Sequence, residues 1–179
     1  YKRQILDLSK IETGKMQVSL EVFSPAALLV QVCDALSPLL SQNNNRLVLD
    51  IDSDSMRNIN SDRGKLQQIV TNLFSNACKF TKEGDITVSA SMTADALNVA
   101  VADTGIGMTR AQQDRVFEAF TQAESNTGLQ YGGTGLGLAI VREFCTMLGG
   151  SIALESRPDE GSVFRVTLPA GPTSVRASA

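Results

Sequence analysis

Three groups of residues combine types and spacings that chemistry requires. Asn72, Asn76 and Lys79 stand at i, i+4 and i+7, with Gln68 one turn earlier, so on a helix they form one polar stripe. A polar stripe is usually a solvated face, but Asn is a poor helix former and a weak solvating residue beside Glu or Lys. An amide oxygen can ligate a hard cation such as Mg2+, and an ammonium one turn away can meet a phosphate. The second group is Val99 to Met108, VAVADTGIGM. Strand parity carries Asp103 onto the apolar face of Leu97, Val99 and Val101, where a carboxylate is costly unless it is hydrogen-bonded. Gly105 and Gly107 around Ile106 then allow a close backbone or flat-ligand approach, although an Asp before a turn can equally serve to cap it. The third group, Gly132 to Leu138 (GGTGLGL), has four glycines in six positions and runs into a helix. Backbone N–H groups and a helix N-terminus there suit phosphate. The run lacks the GK[ST] ending of a P-loop, and no strand precedes it as a dinucleotide fold requires.

Composition narrows the chemistry further. The 179 residues contain no His, which excludes a Ser-His-Asp triad, a His-ligated zinc, a proximal-His haem and a phosphohistidine acceptor within the chain. Sixteen Lys plus Arg against 19 Asp plus Glu give a net charge of −3 with no basic run, which argues against nucleic acid as a partner. The apolar fraction of 42% with 20% charged residues is that of a globular domain, and no apolar stretch reaches the roughly 20 residues of a membrane helix. Cys33, Cys78 and Cys145 are odd in number and widely spaced, which predicts buried free thiols in a reducing, cytoplasmic compartment. The chain opens on Tyr1 within helical sequence and reads as a fragment.

The elements that position these groups follow from periodicity. Ile5, Leu8 and Ile11 predict the end of an amphipathic helix stopped near Gly14. Alternation predicts a strand from Met16 to Phe23, and Ser24-Pro25 opens a helix to about Ser41. Leu47 to Ile51 reads as a strand. Asp62 caps a helix from Arg63 to about Lys79, with Leu66, Ile69, Val70, Leu73, Phe74 and Ala77 inward. A hairpin joins Ile86–Met92 to Leu97–Val101. The aperiodic stretch from about Glu118 to Gly133 is a candidate lid. A helix from about Gly135 to Leu148 and two strands around the turn 157–161 complete the pattern. Residues 171–179 form a polar tail. The expected fold class is an α/β (α+β) two-layer sandwich, a mixed, mainly antiparallel sheet with about three helices on one face. The predicted divisions are 1–15, 16–170 and 171–179.

Taken in order, QQIVTNLFSNACKFT (67–81), DTGIGM (103–108), Phe117 and Phe120 in VFEAF, and GGTGLGLAI (132–140) resemble the N, G1, F and G2 boxes of sensor histidine kinases. That family shares a Bergerat-type ATP-binding fold with gyrase, the large heat-shock chaperone and the MutL ATPases. LDLSKIETGKM (6–16) is similar to the end of the second helix of the family's dimerisation hairpin, and FTQAES (120–125) to the hybrid kinases. The resemblance spans roughly residues 4 to 169.

The resemblance implies roles for individual residues. Asn76 would coordinate the Mg2+ on ATP with Asn72 beside it, Lys79 would contact phosphate, and Phe80 would stack on adenine. Asp103 would accept from the adenine amino group. Gly105, Ile106 and Gly107 would line the purine, with Phe117 and Phe120 nearby. Gly133, Thr134, Gly135, Leu136 and Gly137 would form the lid's hinge and its phosphate contacts. ATP-hydrolysing relatives place a Glu where this chain has Asn72. An amide is no general base, so transfer to a neutral imidazole is favoured over hydrolysis. The acceptor His would lie on the hairpin's first helix, upstream of Tyr1. Gln130 replaces a Lys or Arg frequent in hybrid members, with Arg110, Arg115 and Lys82 as substitutes. The implied partners are ATP, the hairpin of the same or a partner chain, and a response regulator or receiver domain. The implied states are a homodimeric whole protein and a largely monomeric fragment without membrane contact. The rival functions are a nucleotide-binding pseudokinase or scaffold and an ATP-hydrolysing relative.

Overall fold

The computed structural model describes residues 16–53, 56–119 and 135–170. The helix end expected over residues 1–12, the tail 171–179 and most of the candidate lid lie outside the described residues.

Helix α1, Pro25–Gln42, starts at Ser24, whose hydroxyl accepts from the Ala27 N–H, with Pro25 in the first turn. Pro38 interrupts its ladder, and the Ser37 hydroxyl donates to the Asp34 carbonyl that Pro38 leaves without its usual donor. Strand β2, Arg46–Ile51, follows. Helix α2, Arg63–Phe80, begins at Asp62 as expected, and its predicted inward residues are all buried. Strands β4, Asp85–Met92, and β5, Ala96–Asp103, form the expected hairpin. Helix α4, Gly137–Met147, precedes strands β6, Ser151–Arg157, and β7, Gly161–Pro169.

The five-stranded sheet has the order β2-β4-β5-β7-β6, with β2 and β4 parallel and the other pairs antiparallel. Parallel neighbours need a long crossover, and α2 lies within it. Helices α1, α2 and α4 pack side by side over one face, where Ile86, Val88, Val99, Val101, Val166 and Leu168 meet Leu66, Leu73 and Ile140. The α+β two-layer sandwich is thus the observed fold.

Three expectations change. The strand expected from Met16 to Phe23 shrinks to β1, Glu21–Phe23, which pairs with β3, Ile59–Ser61, outside the main sheet. Residues 17–19 are instead held by side chains. The Ser19 N–H donates to Asp62 Oδ2 at 2.9 Å, and Lys65 Nζ donates to the Gln17 carbonyl at 2.7 Å. The alternating Val18, Leu20 and Val22 point outward, Leu20 being 62% exposed. Helix α4 begins at Gly137 rather than Gly135, because Gly135 has φ +67° and cannot join a right-handed helix. A short helix, α3 (Arg110–Arg115), was not anticipated. It lacks an apolar period, but Thr109 and Gln112 make a reciprocal capping box.

Candidate functional site

The C-terminal half of α2, the end of β5 and the start of α4 converge. Asn72 is buried, and its Nδ2 donates to the Gly137 carbonyl at 3.2 Å, tying α2 to the first turn of α4. Asn76 is half-buried on the same stripe. Among the described residues its amide has no hydrogen-bond partner, so it is free to ligate. Lys79 Nζ lies 4.6 Å from the centroid of the Phe80 ring, and burial lowers the pKa of its ammonium. It makes no ion pair among the described residues.

The end of α2 is fixed by residues that the sequence reading passed over. Asn43 and Asn45 donate their side-chain N–H groups to the Cys78 carbonyl at 2.9 and 3.2 Å. Asn45 also donates to the Thr81 carbonyl at 2.9 Å, and its Oδ1 accepts from the Gly84 N–H. The Asn-Asn-Asn run after α1, with Asn44 at φ +53°, was the available signal. These bonds satisfy carbonyls that the helix end leaves open.

Asp103 closes β5 on its buried face, opposite Ile86 and Ser162 in the ladders. Burial raises its pKa, against the lowering effect of the Gly105 and Ser162 N–H groups and the Thr81 hydroxyl. The Gly105 N–H donates to Oδ1 at 2.9 Å, so Asp103 does cap its own turn, and its second oxygen remains an acceptor for a ligand. Thr81 Oγ1 is fully buried beside this carboxylate yet makes no well-formed hydrogen bond. A buried hydroxyl without a well-formed bond, beside a desolvated carboxylate that can still accept, is what a polar ligand edge would satisfy.

Gly105 must lack a side chain. A Cβ there would strike the Phe80 carbonyl and come within 2.8 Å of both Asp103 Oδ1 and Thr81 Oγ1. Gly107, at φ +61°, has the Arg157 carbonyl against it. The turn is pinned at both ends, since the Ile106 N–H donates to the Phe80 carbonyl and the Ile106 carbonyl accepts from Asp159. The Met108 N–H donates to Ser156 Oγ, which also lies 3.0 Å from Ser162 Oγ. Ser156 and Ser162 are further residues missed in sequence, where only the two strands and the turn between them were read.

Not every expected residue faces the same space. Phe117 packs edge-on against Phe164, centroids 6.3 Å apart, so its ring is core packing. Leu136 is buried, whereas Ile106 is 52% exposed at the rim. Phe120, Gly133 and Thr134 lie outside the described residues. Arg110 and Arg115 pair along the chain with Asp114 and Glu118 on the surface. Cys33, Cys78 and Cys145 are free and buried as expected, with pKa values pushed up by burial to about 11, about 11 and about 12. No helix of the described residues is long and apolar enough to cross a membrane.

The residues present fit Mg2+ bound together with a polyphosphate. Among the described residues no cluster of three or more His, Cys, Asp or Glu could cage a metal alone. Mg2+ characteristically keeps waters and binds through one or two protein ligands plus phosphates, which the free amide of Asn76 suits.

Comparison with known proteins agrees with this geometry. Residues 61–172, from the α2 cap through β7, match the family described as "Histidine kinase-, DNA gyrase B-, and HSP90-like ATPase". The signal transduction histidine-protein kinase BarA of Escherichia coli K12 is 38% identical over 165 residues, 89% of this chain and 18% of BarA. The sensor protein GacS of Pseudomonas syringae is 38% identical over 170 residues, 92% of this chain and 19% of GacS. The chain thus spans about a fifth of these relatives. Among solved structures, full-length ShkA in complex with AMPPNP superposes with a TM-score of 0.84 at 29% identity, covering 96% of this chain and 36% of ShkA. The catalytic domain of the histidine kinase ThkA superposes with a TM-score of 0.73 at 25% identity, covering 86% of this chain and 99% of that domain. The chain belongs to the histidine kinase-, DNA gyrase B- and HSP90-like ATPase family.

Proposed function

We propose that this chain is the ATP- and Mg2+-binding catalytic part of a sensor histidine kinase. It transfers the γ-phosphoryl of ATP to a histidine on a dimerisation hairpin, for relay to a response regulator or receiver domain. The observation that carries this reading is the Asp103 carboxylate, held by backbone N–H groups beside the bare edge of Gly105, next to the Asn76–Lys79 stripe. Asp103 accepts from the adenine amino group, and the Phe80 ring provides an apolar surface. Lys79 turns from that ring to phosphate, while the Asn76 amide oxygen holds Mg2+. The cation, once bound, neutralises charge that develops on the phosphates.

Asn72 supports phosphotransfer over hydrolysis. Its amide cannot take a proton from water, and its Nδ2 is engaged with the Gly137 carbonyl. An acceptor imidazole brings its own lone pair, and ADP leaves with the electrons of the broken phosphoanhydride bond. The whole protein in this reading is a homodimer joined by its hairpin, with this part on the cytoplasmic side.

The test mixes this chain with γ-labelled ATP, Mg2+ and a separately produced hairpin carrying the acceptor His. The expected product is acid-labile, base-stable phosphate on the hairpin. ATP binding without such phosphate would leave a nucleotide-binding scaffold, and release of free phosphate alone would make the chain a hydrolase.

A further inference from the structure

Strand β2 ends the sheet order, and its register with β4 fixes which backbone groups face outward. The Arg46 N–H donates to the Gly84 carbonyl and the Asp52 N–H to Ala90, so even-numbered residues of β2 turn their backbone toward β4. Leu47 and Leu49 therefore present N–H and C=O groups away from the sheet, as an edge strand does. Leu47, Leu49 and Ile51 lie on the helix-covered face, in register with Ile86, Val88 and Ala90, while Arg46, Val48 and Asp50 lie on the open face. Val48 is 39% and Leu49 42% exposed. Beside Leu49 a shallow groove opens against Ala27 and Val30 of α1, so the helix leaves the edge uncovered.

The sequence of this edge, Arg46-Leu47-Val48-Leu49-Asp50, is complementary to itself when reversed. From this we infer that β2 is a docking edge for β2 of a second copy of this chain, antiparallel about a two-fold axis at Val48. Only outward-facing residues can exchange ladder bonds, and this register pairs Leu47 with the partner's Leu49 and Leu49 with the partner's Leu47. The same register sets Arg46 opposite the partner's Asp50 and Val48 opposite the partner's Val48, at the closer non-hydrogen-bonded spacing. One face of the seam would then be four leucines, and the other a valine pair flanked by two ion pairs. Sliding the register by one step toward Ile51 would set Val48 against Asp50, and sliding it the other way would set Val48 against Arg46. The Arg46–Asp85 ion pair, with side chains 74% and 40% exposed, leaves the guanidinium room for a second carboxylate. The interface is isologous, which permits a closed dimer. Because the seam is a single strand pair, the copies associate weakly unless they are concentrated or tethered. This inference is independent of the proposed phosphotransfer.

Register-specific cross-linking of the whole chain tests it. Cα atoms of an opposed non-hydrogen-bonded pair lie about 4.5 Å apart, within disulfide range. The three native thiols are buried and give little background. Under mild oxidation Val48→Cys is expected to form at least tenfold more disulfide dimer than Leu49→Cys, whose counterpart sits diagonally in the partner. It should exceed Glu155→Cys on the opposite edge strand by the same margin. Adding Asp50→Arg to Val48→Cys should abolish the dimer. Mixing that variant with a Val48→Cys chain carrying Arg46→Glu should restore it, because opposite charges then face each other again. Equal yields from all three cysteines, or a Val48→Cys dimer indifferent to both charge changes, would overturn the inference.

Discussion

Asp103, proposed to receive the adenine amino group, carries a cost to stability of its own. Its pKa is raised in the folded chain, so its contribution to stability is present below the unfolded carboxylate pKa and is lost as pH rises through the folded value. Ionising Asp103 is therefore less favourable in the ligand-free folded chain than in the unfolded one. Asp103→Asn should unfold at equal or higher urea concentration than the parent, yet bind ATP about 10- to 100-fold more weakly, the scale of a hydrogen bond to a charged group. The reason is orientation, since the Gly105 N–H will take the amide oxygen and turn its NH2 toward the adenine amino group. In the parent, ATP affinity should fall as pH drops through the raised pKa, and the ratio of parent to Asp103→Asn affinity isolates that dependence from the titration of ATP itself. Calorimetric titration at several pH values measures both, and a pH-independent ratio would remove Asp103 from adenine recognition. Asn72 follows the same logic of orientation. Asn72→Ala should cost about 1 kcal/mol by losing its bond to the Gly137 carbonyl. Asn72→Asp should cost more, because it sets a carboxylate against that carbonyl, and urea midpoints rank the two.

At the scale of elements, α2 can hold the proposed site because both of its ends are clamped. At its start, Asp62 and Lys65 form a buried pair at 2.7 Å that also binds the Ser19 N–H and the Gln17 carbonyl, and Lys65 Nζ lies 5.7 Å from the Phe144 ring of α4. Burial raises the Asp62 pKa, but the Lys65 ammonium and the Ser19 and Lys65 N–H groups outweigh it and the net direction is down. The stability Asp62 supplies is therefore present above the unfolded carboxylate pKa and is lost as pH falls through the folded value. Lys65→Met should cost about 3–5 kcal/mol by leaving a buried carboxylate uncompensated. Protonation relieves that unpaired carboxylate, so the deficit of Lys65→Met relative to the parent should shrink as pH falls, and urea midpoints measured against pH read that change. Asp62 was legible in sequence as a cap, and the inward face of α2 followed from its period, because both signals are local. The clamp on residues 17–19 was not, since it joins groups more than forty positions apart, and separations of 33 to 39 positions hid Asn43 and Asn45 from the end of the helix they cap. The alternation from Met16 to Phe23 misled for a related reason. A period of two describes one strand's faces, but the pairing that makes a strand is settled by a partner elsewhere. Asp103 was legible because parity and burial alone made its carboxylate anomalous, whereas Ser162 reaches it only through the register of β5 with β7.

At the scale of the whole molecule, the helices packed on the sheet among the described residues cover one face, and the three thiols lie inside that core. Their pKa values near 11 and 12 leave almost no thiolate at neutral pH, so an aromatic disulfide reagent reaches them only when the core opens. The proposed ligand site shares that core, since α2 contributes Cys78 to one and Asn76 to the other. Binding to the folded state must then slow labelling by the stabilisation it brings, about 2.7 kcal/mol at a ligand concentration 100 times Kd. Under conditions where opening is in rapid equilibrium with closing, that amounts to roughly a hundredfold slower reaction of all three cysteines together. A domain of this size should also gain roughly 5–11 °C in Tm. ATP with Mg2+ is expected to give both effects, and chelating the cation should remove most of them, because Asn76 and Lys79 then face an unscreened polyphosphate. Lys79→Met should retain the adenine-dependent part of the protection and lose the phosphate-dependent part, so that ATP and adenosine protect it about equally. Protection by ATP undiminished in Lys79→Met, or unaffected by chelation, would mean that the stripe on α2 is a solvated face and not a phosphate site.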